Sequence, residues 1–279
     1  MEIIDSPEKI RSYLQKFEAA KTIALVPTMG KLHKGHVELI KRAKKSADIT
    51  IVSNFINITQ FGLNERPEEY PQDRDHNNEI CKTNGVDVLF VPAPQTIYPA
   101  GFSTYIQEEN LSRKLSGPAR QNLFKGYATE IVILLNLIKP QYLVLGQKDI
   151  HQTNLIKKIV HDLMYSTEVL VNEIVRDTDG LAHGTRNEYL EEFQRQDARR
   201  LFEAIQKAKV MVERGTTSVE RIVAEVTHHL KQSLRLRIVY VAIVHPETME
   251  SMMIISPGKS LLTISVWVDQ IRLNDNVVL

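Results

Sequence analysis

The sequence predicts an α/β protein in which a parallel, doubly wound sheet spans roughly the first 176 residues and a smaller α+β unit follows. Three observations carry that prediction. Short apolar runs alternate with stretches of helical periodicity up to about residue 171, the alternation gives way after Arg176 to two long helical stretches and then several strand-type runs, and glycine or proline stands at many of the joins. Ile10, Tyr13, Leu14 and Phe17 set an opening amphipathic helix, and residues 22–26 form a buried strand that Pro27 should stop. Beyond the turn at Gly30, the positions Val37, Leu39, Ile40, Ala43 and Ala47 recur at helical spacing with Lys41, Lys44 and Lys45 outward, and residues 49–55 read as a second buried strand. The pattern repeats with a helix near 75–83, a strand over 86–91, a helix over 124–137, a strand over 142–145, a helix over 150–163 and a strand over 168–171. Helices over 191–213 and 218–234 and strands over 238–244, 261–268, 271–273 and 277–279 form the second unit, with the polar stretch Asp177-Thr-Asp-Gly180 as linker. Ligands on open parallel sheets sit beyond the carboxyl ends of the strands. Pro27-Thr28-Met29-Gly30, Asn57-Ile58-Thr59-Gln60 and Gly146-Gln147-Lys148-Asp149 are therefore expected to converge on one crevice.

Composition excludes several classes. With 43% hydrophobic and 25% charged residues over 279 positions, the chain reads as a globular protein rather than a fibrous, low-complexity or disordered one. The balance of 35 Lys and Arg against 34 Asp and Glu provides no basic footprint for nucleic acid or an anionic membrane, so a charged substrate must be met by local groups. Cys81, alone of its type, rules out an intrachain disulfide and a multi-cysteine zinc site, and fits a reducing compartment. Glu2, Asp5 and Glu8 stand where a secretory signal needs basic residues, and apolar runs such as 131–138 fall short of a bilayer span. The expectation is a soluble cytoplasmic protein that works on small molecules.

His33-Lys34-Gly35-His36 falls where the first strand turns into the first helix of the sheet. Two imidazoles three residues apart at a helix N-terminus can face the same way, where unpaired N–H groups and the helix dipole favour a phosphate. Gly35 fits a backbone that must approach a ligand closely. The bland alternative is a pair of partly exposed histidines, while a zinc pair is disfavoured because Lys34 stands where a metalloprotease helix has Glu and the spacing is three, not four. Gly258-Lys259-Ser260 imitates the end of a P-loop but has Met253 in place of the earlier glycine, so it reads as a turn, and no G-x-G-x-x-G follows the first strand. Lys148 opens a helix where the dipole disfavours a cation, which points to a bound anion. Asp149 could address a ribose or simply cap the helix. In the loop 180–187, Arg186 can clamp phosphate oxygens and Thr185 can donate a hydrogen bond, although such loops are also common as plain connectors. Asn57, Gln60 and Gln152 are uncharged amides suited to holding a small polyhydroxy acid.

Taken in order, Val26-Pro-Thr-Met-Gly-Lys-Leu-His-Lys-Gly-His36, Phe55-Ile-Asn-Ile-Thr-Gln-Phe-Gly62, Tyr70-Pro71, Tyr98-Pro99, Gly146-Gln-Lys-Asp149 with Gln152, Asp179-Gly-Leu-Ala182, Arg186-Asn187, Tyr189-Leu190 and Arg272-Leu-Asn-Asp-Asn276 resemble the pantoate–β-alanine ligases of vitamin B5 synthesis. The resemblance implies a Rossmann-like nucleotide- and pantoate-binding domain over 1–176 and an α+β domain over 177–279 that closes over the active site. It implies ATP and Mg²⁺ as reactants, a pantoyl adenylate, attack by β-alanine with release of AMP and pyrophosphate, and a homodimer. By the same resemblance His33, His36, Lys148 and Arg186 would be catalytic, and Met29, Asn57, Gln60 and Gln152 would hold pantoate. Pro27, Thr28, Met29, Gly30, His33, Gly35, His36, Gly146, Lys148, Asp149, Val175, His183, Gly184, Thr185 and Arg186 would surround ATP. The resemblance assigns no residues to Mg²⁺. Because the H-x-G-H signature is shared with nucleotidylyltransferases, such an enzyme, or an acid–amine ligase with other substrates, is the alternative, and a non-catalytic nucleotide-binding relative a third.

The chain departs from the family pattern at several points. His183-Gly-Thr-Arg-Asn187 replaces Met-Ser-Ser-Arg-Asn, Arg120-Gln-Asn-Leu-Phe124 replaces Arg-Pro-Gly-His-Phe, and Asn57-Ile-Thr-Gln60 replaces Asn-Pro-Thr-Gln. His76-Asn77 lies near the place where acidic residues are expected after Tyr-Pro. These changes touch nucleotide handling and the metal more than pantoate. The flexible Gly184 leads to the expectation that Gly184→Ser would improve ATP binding or turnover.

Overall fold

In the computed structural model, residues 1–17, 21–62 and 66–279 are described. Strand β1 (Glu2–Ile4) comes first, and Ser6 then caps helix α1 (Pro7–Gln15) by accepting from the Lys9 N–H, with proline in the first turn where no donor is needed. Strand β2 (Ile23–Thr28), helix α2 (Lys34–Ser46), strand β3 (Ile49–Asn54), helix α3 (Arg74–Thr83), strand β4 (Val88–Phe90) and the short helix α4 (Pro94–Ile97) follow. Helix α5 (Gln121–Ile138), strand β5 (Tyr142–Gly146), helix α6 (Ile150–Asp162) and strand β6 (Glu168–Asn172) complete the first sheet. Helices α7 (Glu192–Ala198), α8 (Arg200–Glu213) and α9 (Val219–Leu230) precede strands β7 (Leu236–Val244), β8 (Leu261–Val268) and β9 (Ile271–Val278).

The first six strands form one parallel sheet in the order β1-β4-β3-β2-β5-β6. From β2 the chain winds outward on one side through β3 and β4, then returns to start β5 on the other side, which opens a switch point between β2 and β5. Alternate residues of each strand feed opposite layers. Leu25, Ile51, Leu143 and Leu145 pack against Ile131, Leu134 and Ile156 of α5 and α6, whereas Ala24, Val26, Val52 and Val144 pack against Ile40, Ala43 and Cys81 of α2 and α3. A separate antiparallel sheet, β7-β8-β9, carries its own core, in which Ile264 and Val266 meet Leu201, Ile205, Ile222 and Val226 of α8 and α9. Among the described residues no helix is long and apolar enough to cross a membrane.

The structure differs from expectation at four places. Strand β1 was not expected, because three residues at a sheet edge are too short to show a period. Pro27 does not stop β2. The Ile23 carbonyl accepts from the Gln141 N–H, so odd-numbered residues of β2 face β5, whose pairing ends at Leu25, and Pro27 meets no ladder acceptor on that side. The helix expected over 191–213 is broken at Arg199, which keeps helical φ and ψ of −56° and −25°, so the apolar period runs on through the break. Strand β9 is continuous through Asn274, Asp275 and Asn276, whose polar side chains are met by Asp149, Arg176 and the backbone of the turn after β5. The Gly258-Lys259-Ser260 segment is a turn, with Gly258 at a φ of 74°.

Candidate active site

At the carboxyl ends of β2 and β5 lies a cavity of about 260 Å³, in the crevice that the strand order creates. Pro27, Thr28, Met29, His33, Gly35 and His36 line it from the β2 side, Gly146, Lys148, Asp149 and Gln152 from the β5 side, and Val175, His183, Gly184, Thr185 and Arg186 from the segment that joins the two sheets. Gln60 also lines it, as do Arg272, Leu273 and Asn274 of β9. Two expected residues are not in the wall. Asn57 is fully buried and holds the turn Ile58–Gln60 against α5, donating to the Gly126 carbonyl at 3.1 Å and to Glu130 Oε2 at 2.8 Å while its own oxygen accepts from Thr59. Gly30 adopts a φ of +76°, and a Cβ there would lie 2.5 Å from the Pro71 carbonyl oxygen and from the Tyr70 ring. Its glycine serves the turn and the approach of residues 70–71, while its carbonyl accepts from Asn54 and Asn77.

His33 is the N-cap of α2. Its Nδ1 accepts from the Gly35 N–H at 3.1 Å, and His36 Nδ1 accepts from the His33 N–H at 3.2 Å, a capping box made of imidazoles. With Nδ1 committed as acceptor on both rings, each neutral imidazole carries its hydrogen on Nε2. Burial, and then the neighbouring His36, His183 and Lys148, push His33 far below the usual histidine range. Burial, His183 and Lys148 bring His36 down to about 4, against the opposing pull of Asp149. Both rings are therefore neutral donors at pH 7, set at the positive end of a helix. The atom that excludes a Cβ at Gly35 is His33 Cε1, at 2.8 Å. In an NMR titration the His36 ring is expected to show no inflection near 6.5 and a midpoint near 4. Since its folded value is lowered, its contribution to stability is present above the unfolded value and is lost as pH falls from 6.5 towards 4.

Across the cavity, a 3-10 turn over Gln147–Asp149 leads into α6. Asp149 occupies the N-cap position without making a side-chain cap bond, so capping does not account for it. Its carboxylate accepts from Asn274 at 3.4 Å and lies 4.0 Å from Lys148 Nζ. Burial alone would raise Asp149, but Lys148, Asn274, Arg186 and Arg120 outweigh it and hold the carboxyl below its ordinary range. The turn is gripped by β9, because Asn276 Nδ2 donates to the carbonyls of Gln147 and Lys148, each at 3.0 Å. Next to it Asp275, with no exposed side chain, pairs with Arg176 through two bonds of 2.7 and 2.9 Å. The second sheet thus holds the turn that carries Lys148.

The segment 183–189 closes the remaining side. His183 packs edge-on to His33 at 4.8 Å between centroids, and its Nδ1 lies 2.6 Å from Asp177, which Arg195 also engages at 2.7 Å. Burial acts to raise Asp177, but these hydrogen bonds and charges hold it below the usual carboxylate range. Lys31 pairs with Glu188 at 3.2 Å, and the Tyr189 hydroxyl donates to the Glu69 carbonyl at 2.8 Å, so the segment is tied to the loops after β2 and β3. The expected benefit of Gly184→Ser does not fit this geometry. A Cβ at residue 184 would stand 2.9 Å from Lys148 Cε and 3.2 Å from Nζ. The substitution displaces the lysine, and turnover is expected to fall with little change in melting temperature, as steady-state rates and a thermal melt would show.

Sequence reasoning missed Glu130. It is 3% exposed on α5 and lines the cavity, and its Oε2 accepts from Asn57 and, at 2.6 Å, from Gln60. Burial raises its carboxyl to about 7 while the two amides pull it back. The signal was available, since a lone acid directly precedes the apolar run Ile131–Leu135 of a helix. Tyr127 is a further lining residue that it did not single out.

A family profile described as pantoate-beta-alanine ligase matches residues 2–278. The chain belongs to the pantoate–β-alanine ligase family. This ligase is 40% identical over 280 residues to the pantothenate synthetase of Thermosipho africanus, and 38% identical over 280 residues to that of Thermotoga petrophila, covering all of each. Its fold matches the crystal structure of pantothenate synthetase from Thermus thermophilus with a TM-score of 0.95 at 32% identity, over 100% of this chain and 99% of that one. The pantoate-beta-alanine ligase of Francisella tularensis, solved with a β,γ-type ATP and β-alanine, matches with a TM-score of 0.81 at 28% identity, over 100% and 97%.

Proposed function

We propose that this ligase joins pantoate to β-alanine at the expense of ATP in two steps at the one cavity, through a pantoyl adenylate. The pantoate carboxylate attacks the α-phosphorus and expels pyrophosphate, and the neutral β-alanine amine then attacks the acyl carbon, expels AMP and gives up a proton to solvent. The observation that carries the reading is the neutral His33–His36 pair capping α2 in the same cavity as Lys148. A carboxylate needs no general base, so the rate must come from alignment and from neutralising charge on the phosphates, which these donors, Lys148 and Arg186 supply. ATP would lie against Pro27–Met29, Gly35, Gly146, Asp149, Val175 and His183–Arg186, with its ribose hydroxyls on Asp149 and pantoate held by Met29, Gln60 and Gln152. The Francisella tularensis structure, with its ATP compound and β-alanine, supports the choice of reactants.

Mg²⁺ would come with the nucleotide and be held chiefly through its phosphates, since among the described residues no three His, Cys, Asp or Glu side chains cluster to hold an ion. When bound it adds charge neutralisation at the phosphates. Residues 1–176 would act as the nucleotide- and pantoate-binding domain, and 177–279 as the domain that covers it, in a cytoplasmic homodimer, on the strength of the family resemblance. Incubation with ATP, Mg²⁺, pantoate and β-alanine should yield AMP and pyrophosphate. ADP and phosphate would sink the adenylate mechanism, and a stable nucleotidyl product independent of β-alanine would favour nucleotidyl transfer instead. Gln60→Ala is expected to raise the KM for pantoate with little change in that for ATP, because it removes an orienting bond made in ground and transition states alike; an unchanged KM would count against the assignment.

A further inference from the structure

Glu130 has no part in the steps above, yet it lines the cavity. Its sequence neighbours Ala128, Thr129 and Ile131 on α5 are also buried, and an aliphatic side chain at 130 would avoid the cost of desolvating a carboxylate. One turn away, a Cβ at Gly126 would lie 2.5 Å from the Thr59 carbonyl oxygen, so only glycine lets the turn carrying Gln60 press directly against the helix. That contact brings Asn57 Nδ2 to 2.8 Å and Gln60 Nε2 to 2.6 Å from the same oxygen, Glu130 Oε2. The amide of Gln60, having donated to a carboxylate, turns its carbonyl away from it. Among the described residues, neither Gln60 Oε1 nor Glu130 Oε1 has a partner, neither is sealed in the interior, and both residues line the cavity.

We infer that Glu130 sets the polarity of the acid pocket: with Gln60 it presents two acceptor oxygens to the bound acid and so selects a substrate that donates hydroxyl groups there. The inference rests on the ligase reading. Pantoate carries two hydroxyls, which would pair with these acceptors, while its carboxylate would turn towards the donors His33, His36 and Lys148. An acid without the hydroxyls leaves two desolvated acceptors unpaired, a strong ground for rejection.

The test compares kcat/KM for pantoate with that for 2-hydroxy-3,3-dimethylbutanoate, which lacks one hydroxyl, in the wild-type chain, Glu130→Leu and Glu130→Gln. The wild-type chain should prefer pantoate by roughly tenfold or more, and Glu130→Leu should bring the ratio to within about threefold of unity. The loss should appear as a KM for pantoate raised about tenfold with that for ATP unchanged, while Glu130→Gln, which keeps one oxygen, restores part of the preference. A merely structural role lowers both substrates alike, so a ratio unchanged in the variants, or no preference in the wild-type chain, overturns the inference. If Glu130→Leu does not fold, Glu130→Gln decides by the same ratio. Absence of any wild-type turnover with pantoate overturns the ligase reading and this inference with it, whereas turnover with an unchanged ratio overturns this inference alone.

Discussion

Replacing His36 or Lys148 by alanine is expected to reduce turnover by roughly a hundredfold to a thousandfold, about 3–4 kcal/mol of lost transition-state stabilisation, as for removal of one preorganised donor at a centre of developing charge. The reasons differ for the two. His36 is one of two neutral imidazoles whose Nδ1 atoms are already taken by backbone N–H groups, so its Nε2–H is oriented before any ligand arrives. Lys148 is a cation on a turn held by Asn276 and faced by Asp149. Neither belongs to the apolar clusters, so folding should tolerate both changes, although His36→Ala also removes half of the α2 capping box, worth about 1 kcal/mol. Steady-state rates alongside thermal melts separate the two effects. Near-normal turnover in either variant would remove that residue from the mechanism.

The second large effect is on stability. Asp275→Ala is expected to cost about 3 kcal/mol, at the low end of the range for breaking a buried pair, because Arg176 keeps 23% of its side chain in contact with water. A urea titration should show the midpoint shifting down with its slope unchanged. As a control, Asp5→Ala removes the exposed Asp5–Lys9 pair and should leave the midpoint where it is. Since Asp275 sits beside Asn276, whose amide holds the Lys148 turn, the folded Asp275→Ala protein should also be slower. Wild-type stability in this variant would mean that β9 is held by its ladder with β8 alone.

Much of the site was legible because its residues are written consecutively. His33-Lys34-Gly35-His36 and Gly146-Gln147-Lys148-Asp149 each follow a buried strand, and the rule that ligands sit at strand carboxyl ends brings them together without coordinates. Asn57 was misplaced for the opposite reason. Its position in the sequence is that of a crevice residue, but its side chain turns inward to Gly126 and Glu130, a contact across 73 residues. Glu130 was overlooked because helical periodicity grades faces as apolar or polar and does not mark a single acid on the apolar face.

By itself the sequence determined the alternation of strands and helices, the two separate cores, the His33–His36 segment at the start of α2 and the family. These depend on local propensity, on periods of two and 3.6 residues, and on motifs short enough to read in one window. Tertiary structure alone decided that Pro27 continues a strand, that β9 runs unbroken through three polar residues, that Gly184 leaves room for Lys148 and that Glu130 lines the cavity. Each of these turns on a partner far away in the chain: the missing β5 neighbour for Pro27, Arg176 for Asp275, Lys148 for Gly184, and Asn57 with Gln60 for Glu130. The physical reason is that a polar or constrained residue is acceptable in a strand or a buried helix face only when its donors, acceptors and volume are met across space, and a single sequence window does not hold those partners.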